Sequence, residues 1–483
     1  MHPWALVLMA LFLMVASAQC SNEPMQTVSA DEIRGQIVNG EPFWYDRAII
    51  EGDLNISNLN IDTPIHITNS VMNWLDAENS TFNKNVDFSG TTFHGSAILD
   101  NSRFNEDVDF SNTVFDRLAY FYMCNFNNRV AFENSTMHDE ASFFGSTFWH
   151  GANFGKSCFF DKFNIHRSIF YEHASFSSTT FNRTADFRWT RFNSYADFDQ
   201  SRFRNLADFG WSLFLKYAIF KSCNFEGVAD FTGSNFDSWS FERANFNGDA
   251  IFQQCRFDSI YLAESNFNGE ANFRNIHSNN TIGLWTTRID DFIADWSDVK
   301  GDLFSFDTRE DKKEIYRKLK IKYEANGLYN FADECAYQLK VTELEDEKDP
   351  IYYIFNFSSR VLYGWGYKPL YPVVWSAAII ILFGILWHIL GLNKPNLGPE
   401  EYNFATYWTS KAGSGGIKRY LQALSFSANV FLSGTKFFVD PPDIPKMHER
   451  SMSLIKCAFT LERILGALFS ILLLLALSKT IIR

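Results

Sequence analysis

From Phe82 to Phe273 a bulky apolar residue returns at alternating intervals of five and six. Counted from Phe82 in steps of eleven, the first series reaches Phe236 with Met137 as its one member that is not Phe. A second series, offset by six, runs from Phe88 to Phe231 with Leu99 and Ile165 as its two substitutes. No position in either series is polar. The residue two places earlier is small, except Phe163, and alternates in kind. It is Ala or Val in one series (Val86, Ala97, Val108, Ala119) and Ser, Thr or Cys in the other (Ser80, Thr91, Ser102, Thr113, Cys124). Helices place apolar residues every three or four positions and simple strands every two, so this spacing fits neither. Short strands joined by tight corners fit it, with the large residue and the small one before it pointing inward. Four units close a coil of about 22 residues, so equivalent slots stack about 5 Å apart. A fixed period of this kind predicts a solenoid with a phenylalanine ladder inside. Near Phe236, Phe241 and Phe246 the rhythm slips to five and five, then continues through Phe252, Phe257, Leu262, Phe267 and Phe273. The solenoid is therefore placed at 48–275.

Units such as Val86-Asp87-Phe88-Ser89-Gly90-Thr91-Thr92-Phe93 resemble those of pentapeptide-repeat proteins, in the variant with one extra residue in every second unit. The resemblance implies a mainly β fold, a right-handed quadrilateral β-helix. The opening of the chain, with Gly40-Glu41-Pro42 and Gly52-Asp53-Leu54, is similar to that of exported archaeal pentapeptide-repeat proteins.

Residues 1–18 are apolar from Ala5 to Val15 and end in Ala16-Ser17-Ala18, the small-x-small pattern of a signal peptide cleaved after Ala18; an uncleaved anchor is the alternative. Gln19 stands where a lipid-attachment box before Cys20 needs a small residue. Residues 19–47 read as a cap, since a solenoid needs its open strand edge covered. Ser29 and Glu32 stand in capping-box spacing, Ile33 and Ile37 share a face, and Gly40 stops the helix. Export gives meaning to the Asn-x-Ser/Thr sites at Asn55, Asn79, Asn134, Asn182, Asn279 and Asn356 as N-glycosylation acceptors.

The ladder accounts for most of the 51 Phe among 483 residues. A net charge of −13 argues against a protein that neutralises nucleic-acid phosphates, so no nucleic-acid partner is expected. Of the seven cysteines, Cys124, Cys223 and Cys255 sit where Ser and Thr sit elsewhere, and read as small core residues. Cys158 points outward in strict register. The residue before each ladder position also points outward, and there acids line up: Asp87 with Asp109, and Asp186 with Asp208 and Asp230. The bland reading is a solvated face; the sharper one is a carboxylate column that recruits Ca²⁺ through Asp186, Asp208 and Asp230. His94, His138, His150, His166 and His173 recur at no fixed slot and pair with no nucleophile, so neither catalysis nor a cofactor is expected.

Beyond the ladder charge rises. Residues 276–350 read as a linker and helical hairpin, broken at Asn326-Gly327, with Tyr316, Leu319 and Tyr323 on one stripe and Phe331, Cys335 and Leu339 on the other. Its segment Ala332–Gln338 resembles a linker found where pentapeptide repeats are fused to membrane domains. Residues 351–483 read as a membrane domain. Aromatics crowd 351–371, as at a bilayer surface. Spans follow at about 369–392 and 464–482, with Glu462 and Arg463 marking the border of the second. A re-entrant or interfacial helix is placed at about 417–432 between them. This layout resembles the two-helix potassium-channel-like domain fused to pentapeptide repeats in other microbes. The departure lies at Leu432-Ser433-Gly434-Thr435-Lys436, where that family has a Thr-Val-Gly-Tyr-Gly filter. The connection 393–463 is rich in Lys and Arg, which places it in the cytoplasm, opposite to a potassium-channel pore loop.

Two readings result. One is a non-enzymatic, membrane-anchored extracellular scaffold meeting an unknown protein or surface-layer partner. The other is a channel-like protein or channel-derived sensor, a homo-tetramer with a degenerate filter.

Overall fold

The computed structural model describes residues 25–278, 280, 282–284, 287–300, 304–305, 308–390, 416–435, 440–442 and 449–481. The signal segment 1–18, Cys20, Asn279, Lys436 and the parts 393–415, 436–439 and 443–448 of the connection lie outside the described residues. The chain forms two units, Met1–Asp311 and Lys312–Arg483.

The first unit is a β-solenoid of about 12 turns. Its strands are mostly two residues long and four fill each turn: Val86–Asp87, Thr92–Phe93, Ala97–Ile98 and Arg103–Phe104. Val108 then lies in parallel register on Val86, 22 residues on, and Val130 on Val108. Two strands of each turn join a 23-stranded sheet and two a 21-stranded one. Strand interiors this short leave room for only one outward and one inward residue, which is why the sequence period is set by corners and not by pleat.

The corners explain the alternation of five and six. In the shorter interval the Phe88 carbonyl accepts from the Thr91 N–H (3.1 Å), closing a turn whose third residue, Gly90, has φ +67°. The same positive φ recurs about every eleven residues, at Asn101, Asn112, Met123, Asn134 and Gly145 among others, and among the described residues no β-branched residue occupies such a corner. Left-handed backbone crowds a branched Cβ, so Asn and Gly are the natural occupants.

Inside, the rings stack face to face at the strand spacing. Phe82, Phe104, Phe126, Phe148 and Phe170 follow one another at 4.7, 4.9, 5.0 and 4.4 Å between centroids, with planes within 7°. Adjacent columns meet edge to face, as Phe132 meets Phe121 and Phe143 (5.2 and 5.1 Å). Where the ladder residue shrinks to Ile165, the slot two places earlier swells to Phe163, whose ring reaches Phe159 and Phe181. The exchange conserves core volume, the kind of swap a packed interior tolerates.

The slip in rhythm is a corner pulled straight. Leu213–Ile219, Asn235–Ser240 and Arg256–Tyr261 run through it as longer strands, and pairing steps fall to 21 residues, as in Phe225 on Phe246. Trp239, fully buried, fills the widened slot and stacks on Phe236 at 3.4 Å. The solenoid also runs past its expected end at 275: Asn266–Phe273 pairs with Arg288–Ala294, and Ile282 with Phe304. What reads in sequence as the start of a linker at 276 is a last, less regular turn. Phe273, Phe292 and Phe304 close its core. At the other end, helix α1 (Ala30–Asn39) starts on Ser29 Oγ, which accepts from Asp31 N–H, and stops at Gly40 with φ +71°. It buries Ile33 and Ile37, while Gln26–Ser29 adds a parallel strand to Ala48–Glu51.

A short helix α2 (Trp296–Lys300) precedes α3 (Arg309–Ala325), and the second unit is helical: α4 (Tyr329–Glu345), α5 (Pro350–Tyr363), α6 (Leu370–Ile389), α7 (Gly416–Leu432) and α8 (Glu449–Ile481). α3 and α4 form a hairpin about Gly327, tied by Tyr323 on Phe331 and by Lys313 to Asp346 (2.6 Å). Asp349 caps α5, whose Ile351, Tyr352, Ile354 and Phe355 are exposed. α6, and α8 over Ser453–Ser478, are long and apolar enough to cross a membrane. Phe383 and Trp387 of α6, Phe426 and Val430 of α7 and Ile455 and Phe459 of α8 share one core. Glu462 thus stands inside the apolar stretch of α8 and is fully buried, not at its border as the sequence suggests, because α8 begins well before Ile464.

Candidate functional site

The acidic column is built by register. Asp186 pairs with Asp208 and Asp208 with Asp230, one turn apart on the same face. Each carboxylate first serves its own corner: Oδ1 accepts from the backbone N–H two residues on, at Arg188 (3.0 Å), Gly210 (3.0 Å) and Thr232 (2.8 Å). Asp87, Asp109 and Asp197 do the same, and Asn153 and Asn164 take the role where the acid is missing. These are Asx turns, in which a short side chain replaces a backbone acceptor. The sequence signal was the regular Asp/Asn one place before a ladder residue, which pattern reading took for a solvated face. Arg188 lies between two members of the column, 2.6 Å from Asp186 Oδ2 and 3.3 Å from Asp208. Burial opposes ionisation of Asp186, but Arg188 wins and holds its carboxyl below the usual range. Burial, opposed by the Gly210 N–H and reinforced by the flanking carboxylates of Asp186 and Asp230, pushes Asp208 up to about 6. Among the described residues no cluster of three His, Cys, Asp or Glu is arranged to hold a metal ion.

The inner Ser, Thr and Cys positions form a second ladder. Ser146 Oγ donates to the Phe121 carbonyl (2.6 Å) and accepts from the Cys124 N–H (2.9 Å); Ser135, accepting from the Thr113 N–H, and Ser168 repeat the pattern. Cys124, Cys223 and Cys255 occupy the same slots, their thiols donating to carbonyls at 2.9–3.0 Å, and burial raises all three. Cys158 is half-buried and accepts from Asn182 Nδ2 (3.4 Å). This side-chain system satisfies corner backbone groups that no strand reaches, the reason polar residues belong in an otherwise aromatic core.

Outside, columns depend on what occupies each step. Asp116 Oδ atoms take His94 and His138 Nδ1 at 2.7 and 3.0 Å, and these hydrogen bonds hold its carboxyl below the usual range. Asn83, Asn105 and Asn127 chain amide to amide at 2.7 Å. Outward aromatics stack at other corners: Tyr122 on the half-buried Phe144 (5.1 Å), Trp149 on Tyr171 (4.2 Å) and Trp189 on Trp211 (5.6 Å). A shallow groove of ≈ 580 Å³ follows one face past His66, Asp87, Asp109, Arg129 and His173. The acceptor asparagines Asn55, Asn79 and Asn134 are exposed, while Asn182 and Asn356 are half-buried.

The pore-like segment closes α7. Ser433 is fully buried, its Oγ donating to the Val430 carbonyl (2.7 Å). Gly434 lies against the backbone of Arg463 and Ala467, and Gly466 lies so close to the Phe431 carbonyl that no Cβ fits. Leu432–Thr435 is thus packed against α8 at a glycine crossing, as small residues allow helices to approach.

These features define a repeat protein: a β-solenoid held by aromatic and hydroxyl ladders, continued by helices of which two are long and apolar enough to span a bilayer. Residues 77–122 and 237–277 match the family model of pentapeptide repeats, in 9 copies. The strands from 123 to 236 continue the same pairing between those segments. No curated protein and no solved structure matches the chain.

Proposed function

We propose that the chain is a non-enzymatic scaffold: a right-handed quadrilateral pentapeptide-repeat solenoid displayed outside the cell and anchored by α6 and α8. The observation that carries this reading is the division of labour between the ladders and the surface. Backbone and core needs are met inside by Phe and Ser slots and at the corners by Asx turns, which leaves the outward residues free to vary. At the spacing of stacked strands, about 12 turns extend roughly 55–60 Å, a long outward surface for a partner to meet. Exposed Trp189, Trp211 and Met123, set at the same corner one or more turns apart, supply the aromatic and Met surface that interfaces favour. The partner is a protein or a surface layer, met without nucleic acid or cofactor.

The test is protease treatment of intact cells expressing the full chain. External protease should remove the repeats and leave a membrane-retained fragment that resists alkaline washing. A protected solenoid, or a chain released by the wash, would refute the reading. The second reading, a channel-like tetramer, is favoured by one observation: α7 packs between α6 and α8 and ends at the tight Gly434 crossing. In liposomes the degenerate filter should carry no K⁺-selective current, and a robust one would establish this reading in place of the first.

A further inference from the structure

Glu462 of α8 is fully buried, and it touches both other helices of the core. Trp387 Nε1 of α6 donates to its Oε2 at 2.7 Å. Its Oε1 is in hydrogen-bond contact with Ser427 Oγ of α7. That same Ser427 Oγ lies 2.8 Å from the Ile380 carbonyl of α6.

Counting protons decides the state of this cluster. A carbonyl oxygen only accepts, so the single hydroxyl proton of Ser427 goes to Ile380. Ser427 Oγ then has only lone pairs to offer Glu462, and the contact becomes a hydrogen bond only if the carboxyl donates. With a proton on Oε1 the three contacts have three protons: the Trp387 N–H, the Ser427 O–H and the Glu462 O–H. An ionised carboxylate leaves two oxygens facing each other with none, and sets an unpaired charge among Phe383, Phe426, Val430 and Phe459. Neighbouring titratable groups turn elsewhere. The Arg463 guanidinium lies over the Phe459 ring at 5.9 Å, and His388 of α6 faces Tyr420 of α7 at 6.1 Å. Lys456 and Cys457 of α8 are exposed.

We propose that Glu462 is a proton-binding site in the membrane unit, carrying its proton at neutral pH and using it to join α6, α7 and α8 through Ser427 and Trp387. The bound proton is what makes this acid compatible with an apolar span, and intramembrane carboxyls of this kind mark functional positions. The inference stands on the three-helix geometry and is independent of what the solenoid binds.

The experiment is infrared spectroscopy of the full chain in liposomes at neutral pH, as the difference between the wild type and Glu462→Gln. Loss of a protonated-carboxyl carbonyl band in the variant is the expected result; loss of a carboxylate band overturns the proposal. Stability supplies the second readout. Gln presents an N–H to Ser427 and a carbonyl to Trp387, so Glu462→Gln should melt within a few degrees of wild type, whereas Glu462→Ala should melt clearly lower. A Gln variant that unfolds as readily as the Ala variant would overturn it too, since a neutral isostere should then have sufficed.

Discussion

Phe132→Ala tests the ladder where it is most regular. The Phe132 ring is fully buried between Phe110 and Phe154, stacked at 5.0 and 5.2 Å, and meets Phe121 and Phe143 edge to face at 5.2 and 5.1 Å. Truncating a buried Phe costs about 3–5 kcal/mol, and the loss of four ring pairs, each about 0.5–1.5 kcal/mol, sets the value near the upper end. The chain around the gap has little freedom to collapse, because each turn is pinned to its neighbours by parallel pairing such as Val130 on Val108. In a solenoid each turn contacts only the next, so the loss is local. Hydrogen exchange of the full chain should show amides of the turns around residues 110–154 opening roughly a thousand-fold more readily, at about 1.4 kcal/mol per factor of ten. Amides near Phe82 and Phe246 should change little. Phe132→Leu, which places the residue found at Leu99 in the equivalent slot, should cost much less, because it leaves a smaller gap. A uniform change along the whole repeat, or one below about ten-fold at the site, would refute the account of independent, tightly filled slots.

Ser146→Ala should cost more than its size suggests, about 1–3 kcal/mol, because it strands the Phe121 carbonyl and the Cys124 N–H together; denaturant titration should show Ser146→Cys close to wild type, since cysteine already serves that slot at 124, 223 and 255. The raised carboxyl of Asp208 favours the folded state when protonated, so its contribution is complete below about 3.8 and is lost as pH rises through about 6. Asp208→Asn keeps the corner acceptor, so thermal melts should show it gaining on wild type at pH 7 and losing that advantage by pH 4; an unchanged gap would refute the assignment. Gly466→Val should drive α8 off the Phe431 carbonyl, seen as faster proteolysis in the α7–α8 connection of the detergent-solubilised chain, while Gly35→Val in α1, where a Cβ meets nothing, should leave that cleavage unaltered.

The length of each coil, the Phe columns and the small alternating slots were legible because a solenoid writes its geometry locally: each inward position has one environment, repeated every turn. The resemblance to pentapeptide repeats rested on the same residues, and the two apolar helices were legible from run length alone. The roles of polar residues were not. That Asp186 and Asp208 cap corners depends on how the chain turns there, each carboxylate accepting from the N–H two residues on; that Ser146 reaches both the Phe121 carbonyl and the Cys124 N–H of the preceding turn depends on stacking. Trp239 shows the limit of a period-based reading, for a straightened corner enlarges a slot that the pattern reserves for a small residue.

Sequence alone therefore determined the repeat and its core, because bulk and apolarity at a fixed interval leave one way to hide so many rings. Tertiary structure decided where the solenoid ends, at Ser305 and not at 275, since the last turn pairs by backbone without the ladder's signature. It also decided the environment of Glu462. A lone acid beside an apolar run reads as a boundary in one dimension, and becomes the centre of a three-helix contact once Trp387 and Ser427, 75 and 35 residues away, are folded onto it.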